Sequence, residues 1–314
     1  MKISVVAAAR EDEQSPAEAL DVAATADRLG FGEVWLGEGP TWDAFALAAA
    51  VGARTSRLAM TAGPVPVSVR DPFSIVRGAA SVEAVTGRPT GVALGTSSTR
   101  VVEGVHGRSR ATPVGDLRDC AAAYVAHRRG EWFGATGTHG FRRRLPAATG
   151  PLTIAAFGDR AIRIAARYAD RMLLDLVSPA QVRALRAILH AATGRPPALA
   201  AWLPAAVDPD DTSYAQLMRA LAGYLPVRGY QEMFAAAGFT AAVELANRGA
   251  SPDELVAALP GHAARTVGLV GDARSVRDRI AEYAEAGLDE IAVVPATAGD
   301  PAGERTLTAL AGPQ

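Results

Sequence analysis

Short apolar runs alternate along this chain with longer stretches of helical period. "ISVVAAA" (residues 3–9) is an unbroken apolar run of strand length, and "SPAEALDVAATADRLG" (15–30) follows it with apolar positions three and four apart. The pair recurs as "EVWLG" (33–37) with a helix over 42–55, and "RLAMTAG" (57–63) with a helix over 71–87. It recurs again as "TGVALG" (90–95) with a helix over about 113–129. The second half keeps the rhythm: "LTIAAF" (152–157), "RMLLD" (171–175), "ALAAWLPAAV" (198–207) and "EIAVV" (290–294) read as strands, with helical patterns between them. "TVGLVG" (266–271) is a short extended piece. Punctuation supports these bounds. Ser15 stands as an N-cap, Pro16 at the first helical position and Glu18 in the capping-box place, and Gly30 and Gly87 follow helix ends.

Strands alternating with helices predict right-handed βαβ units and a parallel sheet. Eight such units favour an α/β fold of the closed (β/α)8, or TIM, barrel type over an open doubly wound sheet. The expected organisation is one barrel domain over residues 1–314. A helical insertion over 210–259 lies between the seventh and eighth barrel strands. It holds Tyr224, Tyr230, Phe234 and Phe239 at helical spacing, which reads as core, although an insertion at that face can also cover a site. In such barrels chemistry sits at the C-terminal strand ends. These fall at Ala8, 37–42, 63–67, 95–98, 157–160, 175–178 and Val207.

Composition narrows the partners. The net charge of −1 offers no field for nucleic acid or an acidic membrane. No run is apolar enough for a signal peptide or a membrane span, so a cytoplasmic protein is expected. Cys120 is the only cysteine, in a helical stretch, and reads as a small buried side chain. The five histidines are scattered and no HExxH or Cys/His cluster exists, so no metal site is expected. Lys2, the sole lysine, opens the first strand, away from the face that would need a Schiff-base lysine. No phosphate loop and no GxSxG elbow appears. A barrel with so little chemistry of its own suits a cofactor enzyme.

One stretch breaks the strand rules. After the apolar run 58–62 come Gly63, Pro64, Val65 and Pro66, and proline cannot donate to a sheet ladder. This stretch, with "ADRLGFGEVWLGE", "SVEAVTGRPTGVALGTSS", "LTIAAFGDRAIRIAARYADRMLLD", "YLPVRGYQEMFAAAGF" and "VGLVGDARSVRDRIAEYAEAGLDEIAVV", resembles the luciferase-like monooxygenase superfamily. It resembles in particular the coenzyme F420-dependent branch that includes methylenetetrahydromethanopterin reductase. The motifs occur in family order over nearly the whole chain.

The resemblance implies a (β/α)8 barrel whose mouth holds the deazaflavin ring against a bulge ending the third strand. That bulge commonly contains a non-prolyl cis peptide. Aligned on the "R-D-P" opening the next helix, it falls on Gly63–Pro64, with Val65 beside it. A cis bond costs ~3–4 kcal/mol before an ordinary residue and ~0.5–1 before proline, so a cis Gly63–Pro64 bond is expected. The coenzyme's phosphate is expected at the backbone of Gly158, Asp159 and Arg160, beside Ala156 and Phe157, a helix N-terminus suited to anions. Gly95, Thr96 and Ser97 are further candidates for the phosphate or side chain. Many relatives carry Asp-His after the second strand, where this chain has Glu38 and Gly39. Glu38 is therefore the first candidate proton donor and His106 the second, with Trp42 a candidate wall beside the ring.

The implied activity is hydride transfer between reduced deazaflavin and an electron-poor C=C or C=N bond of a small molecule, natural-product intermediate or modified peptide. A dehydroamino acid is one example. The implied assembly is a homodimer. The rival readings are an FMN-dependent monooxygenase of the same superfamily and a non-catalytic cofactor-binding barrel.

Overall fold

A computed structural model describes residues 1–8, 15–132 and 143–311. Its strands are β1 (Lys2–Val6), β2 (Glu33–Leu36), β3 (Ala59–Pro66), β4 (Thr90–Gly95), β5 (Leu152–Ala155), β6 (Arg171–Asp175), β7 (Ala198–Val207), β8 (Leu269–Gly271) and β9 (Glu290–Pro295). β1 to β7 pair in chain order, β7 pairs with β9, and β9 returns to β1. All these pairings are parallel. Eight strands thus close a TIM-type barrel, as the alternation predicts. β8 lies outside the ring, pairing with the far end of β7 at Ala205 to Val207. β1 stops at Val6, short of the predicted strand, and Ala9 lies outside the described residues.

Around the ring run α1 (Ala17–Arg28), α2 (Ala44–Arg54), α3 (Pro72–Thr86), α4 (Pro113–Arg128), α5 (Asp159–Tyr168) and α6 (Pro179–Ala192). After β7 come α7 (Asp211–Tyr224), α8 (Arg228–Phe234), α9 (Thr240–Asn247), α10 (Pro252–Ala258) and α11 (Ala263–Thr266), then α12 (Ala273–Glu285) and α13 (Glu304–Leu310). Side chains cap several of these helices, since the first amides have no partner within the helix. Asp43 accepts from the Ala46 amide at 2.9 Å and Asp71 from Ser74 at 3.0 Å. Ser178 and Gln181 form a capping box on α6. The capping box predicted for α1 does not form. Pro16 itself is the N-cap, so Ser15 stands one residue too early and accepts only the Ala17 amide at 3.3 Å.

The segment from α7 to α10 packs Leu217, Leu221, Leu225, Phe234 and Phe239 into a cluster shared with Leu176 and Ala206. Those two stand at the C-terminal ends of β6 and β7, so the insertion sits over that end of the barrel. A hydrogen bond ties it down: the Gln181 side chain donates to the Met233 carbonyl at 2.5 Å.

The opposite end of the barrel is plugged by charge. Lys2, Glu33, Arg171 and Glu290 each begin a strand. Arg171 donates to Glu33 at 2.9 and 3.1 Å, to Glu290 at 2.7 Å, to Thr61 at 3.0 Å and to Thr153 at 3.1 Å. Lys2 pairs with both glutamates. Ser4 donates to Glu290 at 2.6 Å, and the Trp35 indole N–H donates to Ser4 at 2.9 Å. The Arg171 guanidinium lies over the Trp35 ring, 3.9 Å from its centroid. Burial alone would raise Glu33, but Arg171 and Lys2 override it and hold the carboxyl at about 2.

Among the described residues, no helix is long and apolar enough to cross a membrane, and no cluster of His, Cys, Asp or Glu could hold a metal ion. Cys120 is buried on α4, and burial pushes its thiol up to about 12, which leaves it a packing side chain.

Candidate active site

A cavity of about 160 Å³ opens at the C-terminal end of the ring. Its walls come from five of the eight barrel strands: Gly37 and Glu38 after β2, Pro64 on β3, Ala155 and Phe157 at β5, Leu173 and Asp175 on β6, and Trp202 on β7. The insertion adds Tyr224 and Tyr230. The Trp202 indole forms an inner wall. It packs edge-on against Trp35 at 5.9 Å, and its far edge lies 3.6 Å from where a Cβ on Gly37 would stand. Its buried N–H has no acceptor. Three non-glycine residues just beyond strand ends hold left-handed backbone: Ser97 (φ 53°), Leu176 (φ 54°) and Asp208 (φ 46°). Such conformations concentrate at functional sites.

The Gly63–Pro66 kink is a bulge in the wall of this cavity. Ala62 pairs with Val92, but Val65 pairs with Leu94, so β3 carries one more residue than β4 across this step. The Gly63–Pro64 peptide bond is cis. Glycine is required at 63, where φ is 113° and a Cβ would stand 2.4 Å from the Ala93 carbonyl oxygen. Pro64 lines the cavity, while Val65 is buried. Gly95 leaves Pro64 its room, since a Cβ there would lie 3.0 Å from the Pro64 ring.

Asp175 is the acid of this cavity. It ends β6, and the Tyr230 hydroxyl donates to it at 2.8 Å. Enclosure raises its carboxyl to about 7, with the Tyr230 hydrogen bond and the Leu176 amide pulling weakly the other way. Among the described residues, no cation lines the cavity. Tyr230 is itself fixed by rings: Phe157 at 5.0 Å, Tyr224 at 4.8 Å and Phe234 at 5.9 Å. Sequence reasoning placed Asp175 at a strand end without giving it a role. Tyr224 and Tyr230, read as core, line the cavity, whereas Phe234 and Phe239 are core.

The sequence candidates for proton donor fare differently. Glu38 reaches the cavity wall, but its carboxylate is engaged by the Arg70 guanidinium at 2.5 Å and the Ala44 amide at 2.8 Å. Arg70 also holds Asp43 at 2.6 Å, so the three side chains brace the start of α2. His106 is exposed, following the wide helical turn Arg100–Val105, and is not among the cavity residues. Trp42 packs half-buried against the barrel core, also outside the cavity lining, and its buried N–H lacks an acceptor.

The anion candidates lie next to the cavity. Ala156 is buried and Phe157 is in the wall, while Gly158, Asp159 and Arg160 are exposed at the start of α5. No side chain caps that helix, and nothing lies within 4 Å of a Cβ position on Gly158. Its amides therefore offer an open cradle for an anion, where the charges of Asp159 and Arg160 offset each other. Beyond the neighbouring strand, Arg110 donates to the carbonyls of Ser97 at 3.0 Å and Thr96 at 3.4 Å, fixing the loop after β4. Arg110 had no signal in the sequence beyond being one arginine among many.

Three likenesses follow from the whole chain. A protein of Mycobacterium tuberculosis, provisionally named a coenzyme F420-dependent oxidoreductase, is 24% identical over 337 residues, covering 95% of each chain. The coenzyme F420-dependent tetrahydromethanopterin reductase of Methanopyrus kandleri superimposes with a TM-score of 0.77 at 15% identity, over 99% of this chain and 98% of that one. The oxygenating part of 3,6-diketocamphane monooxygenase from Pseudomonas putida, in complex with FMN, gives 0.68 at 14% identity over 99% and 97%. At such identities the two structural likenesses speak for the fold alone. Residues 1–290 match the luciferase-like monooxygenase family throughout, and the chain belongs to that family.

Proposed function

We propose that the chain is a coenzyme F420-dependent oxidoreductase. One observation carries the reading: the wall that Pro64 presents at the β3 bulge stands two strands from the uncapped start of α5. The mouth therefore offers a face for a flat ring and, beside it, amides for a phosphate. The residues fit such a group. Gly63 and Gly95 admit the bulge, Gly158 leaves the cradle open, and Trp202 adds a buried donor with no acceptor. Pro64 and Val65 would back the ring, Gly158 to Arg160 would hold the phosphate, and Thr96 and Ser97 would border the chain between them. When bound in its reduced form the coenzyme supplies the hydride. The protein's part is to orient the ring, exclude water with the insertion, and hold a proton on the Asp175 carboxyl.

The F420 relative favours the deazaflavin, while the FMN-bound neighbour keeps FMN monooxygenase chemistry as the second reading. Thermal melts of the purified chain with F420 and with FMN separate them. The expected result is a saturable rise in Tm at micromolar F420 and none with FMN. A rise with FMN alone transfers the chain to the second reading. Gly158→Pro, which withdraws an amide from the cradle, should weaken F420 binding without lowering the Tm of the free protein.

A further inference from the structure

We propose that the substrate is a basic nitrogen compound, an imine or its amine, seated with its nitrogen at Asp175 inside the box formed by Phe157, Trp202, Tyr224 and Tyr230. The proposal rests on the coenzyme reading only for the source of hydride. Three features of the cavity carry it.

The first is its lining. Four aromatic side chains line the cavity together with Asp175 and Glu38, and among the described residues no Lys, Arg or His lines it. Aromatic faces attract cations and repel carboxylates and phosphates, most strongly where water is excluded. The second is charge balance. The titratable groups facing Asp175 are Tyr230 from α8, Tyr224 from α7 and Glu38 from the far wall. Glu38 is paired with Arg70, which it shares with Asp43, whereas Asp175 has only the Tyr230 hydroxyl as a side-chain partner. The third is position. In a ring of eight strands β3 faces β7, and β2 faces β6. A flat ring backed by Pro64 therefore looks across the cavity at Trp202, with Asp175 beside it. Nitrogen at Asp175 places the neighbouring carbon between the two walls.

The chemistry balances there. An imine takes the Asp175 proton at nitrogen. Hydride adds at carbon, its electron pair making the new C–H bond while the C=N π pair moves onto nitrogen. The imine is reduced to an amine, the deazaflavin is oxidised by two electrons, and Asp175 regains its proton from solvent. A C=N substrate needs no second acid beside the ring. The raised Asp175 carboxyl suits this role, because it is half-protonated near neutrality.

Benzylamine, benzyl alcohol and benzoate are probes of one size and three charges. Their binding to the full chain can be read by tryptophan fluorescence and calorimetry. At about pH 8.5, with Asp175 ionised, benzylammonium should bind at least about tenfold more tightly than the alcohol, and benzoate more weakly than either. At about pH 5.5 the preference for the ammonium should shrink about fivefold or more, as the carboxyl takes up its proton. Asp175→Asn should abolish the preference without lowering the melting temperature. Equal binding of alcohol and ammonium by the unmodified protein overturns the proposal, as does an Asp175→Asn chain that keeps the preference. The probe, pH and wild-type comparisons need no variant. Failure of the coenzyme reading would show instead in the F420 and FMN melts, which these measurements do not involve.

Discussion

Glu33 and Asp175 are acids at opposite ends of one barrel, and the same enclosure moves them in opposite directions. Glu33 sits at the N-terminal end, bound twice by Arg171 and again by Lys2, and is held at about 2. Asp175 sits at the C-terminal end with a tyrosine hydroxyl for a partner and rises to about 7. Burial opposes the charged form in both cases, and a neighbouring guanidinium decides the outcome. One end is a closed electrostatic plug whose lone pairs are spent on the protein. The other leaves an acid whose remaining capacity is available to a ligand.

The largest test of that contrast removes Arg171. Arg171→Met leaves Glu33 and Glu290 facing each other with only Lys2 between them. Stability should fall by roughly 3–5 kcal/mol, measured by urea unfolding, since breaking a buried pair strands a charge. Adding Glu33→Gln and Glu290→Gln to that variant should recover part of the loss.

The next test uses pH. Glu33 has a lowered folded value, so its contribution is complete above its ordinary 4.5 and is lost as pH falls toward 2. Asp175 has a raised folded value, so its cost is absent below 3.8 and grows as pH rises through 7. Asp175→Asn should therefore match the wild type below about pH 4 and exceed it by roughly 2–4 kcal/mol at about pH 8 in parallel melts. Equal curves at every pH would remove the contrast between the two ends.

The smallest effect is expected from Tyr230→Phe. It deletes one hydrogen bond, worth about 1 kcal/mol, and leaves the ring in place. Because that bond favours the ionised form, the midpoint of the Asp175 titration should move upward, by less than about one unit, when followed by NMR.

The barrel was legible in the sequence because each βαβ unit writes its own alternation and punctuation. The Gly63–Pro66 kink was legible because proline and glycine state backbone requirements locally. The cap of α1 was misread through the same local reasoning, since Ser15 and Pro16 satisfy the pattern one residue out of place. What stayed hidden involves pairs. Glu38 looked like a free acid because Arg70, 32 residues on, gives no local sign that it will fold back. Asp175 was visible as a strand end, but its partner lies 55 residues later in a helix whose aromatic spacing reads as core. His106 had suitable chemistry, and only its exposure removes it from the cavity.

The contact between Trp202 and Gly37 sets how deep anything can go. The indole from β7 reaches across to the end of β2 and stops at a residue with no side chain. An alanine at 37 would just touch the ring at 3.6 Å, and any larger residue would have to displace it. Position 37 is therefore a depth stop for the cavity, adjustable by single methyl groups, and it can shorten the longest molecule admitted without altering a polar group.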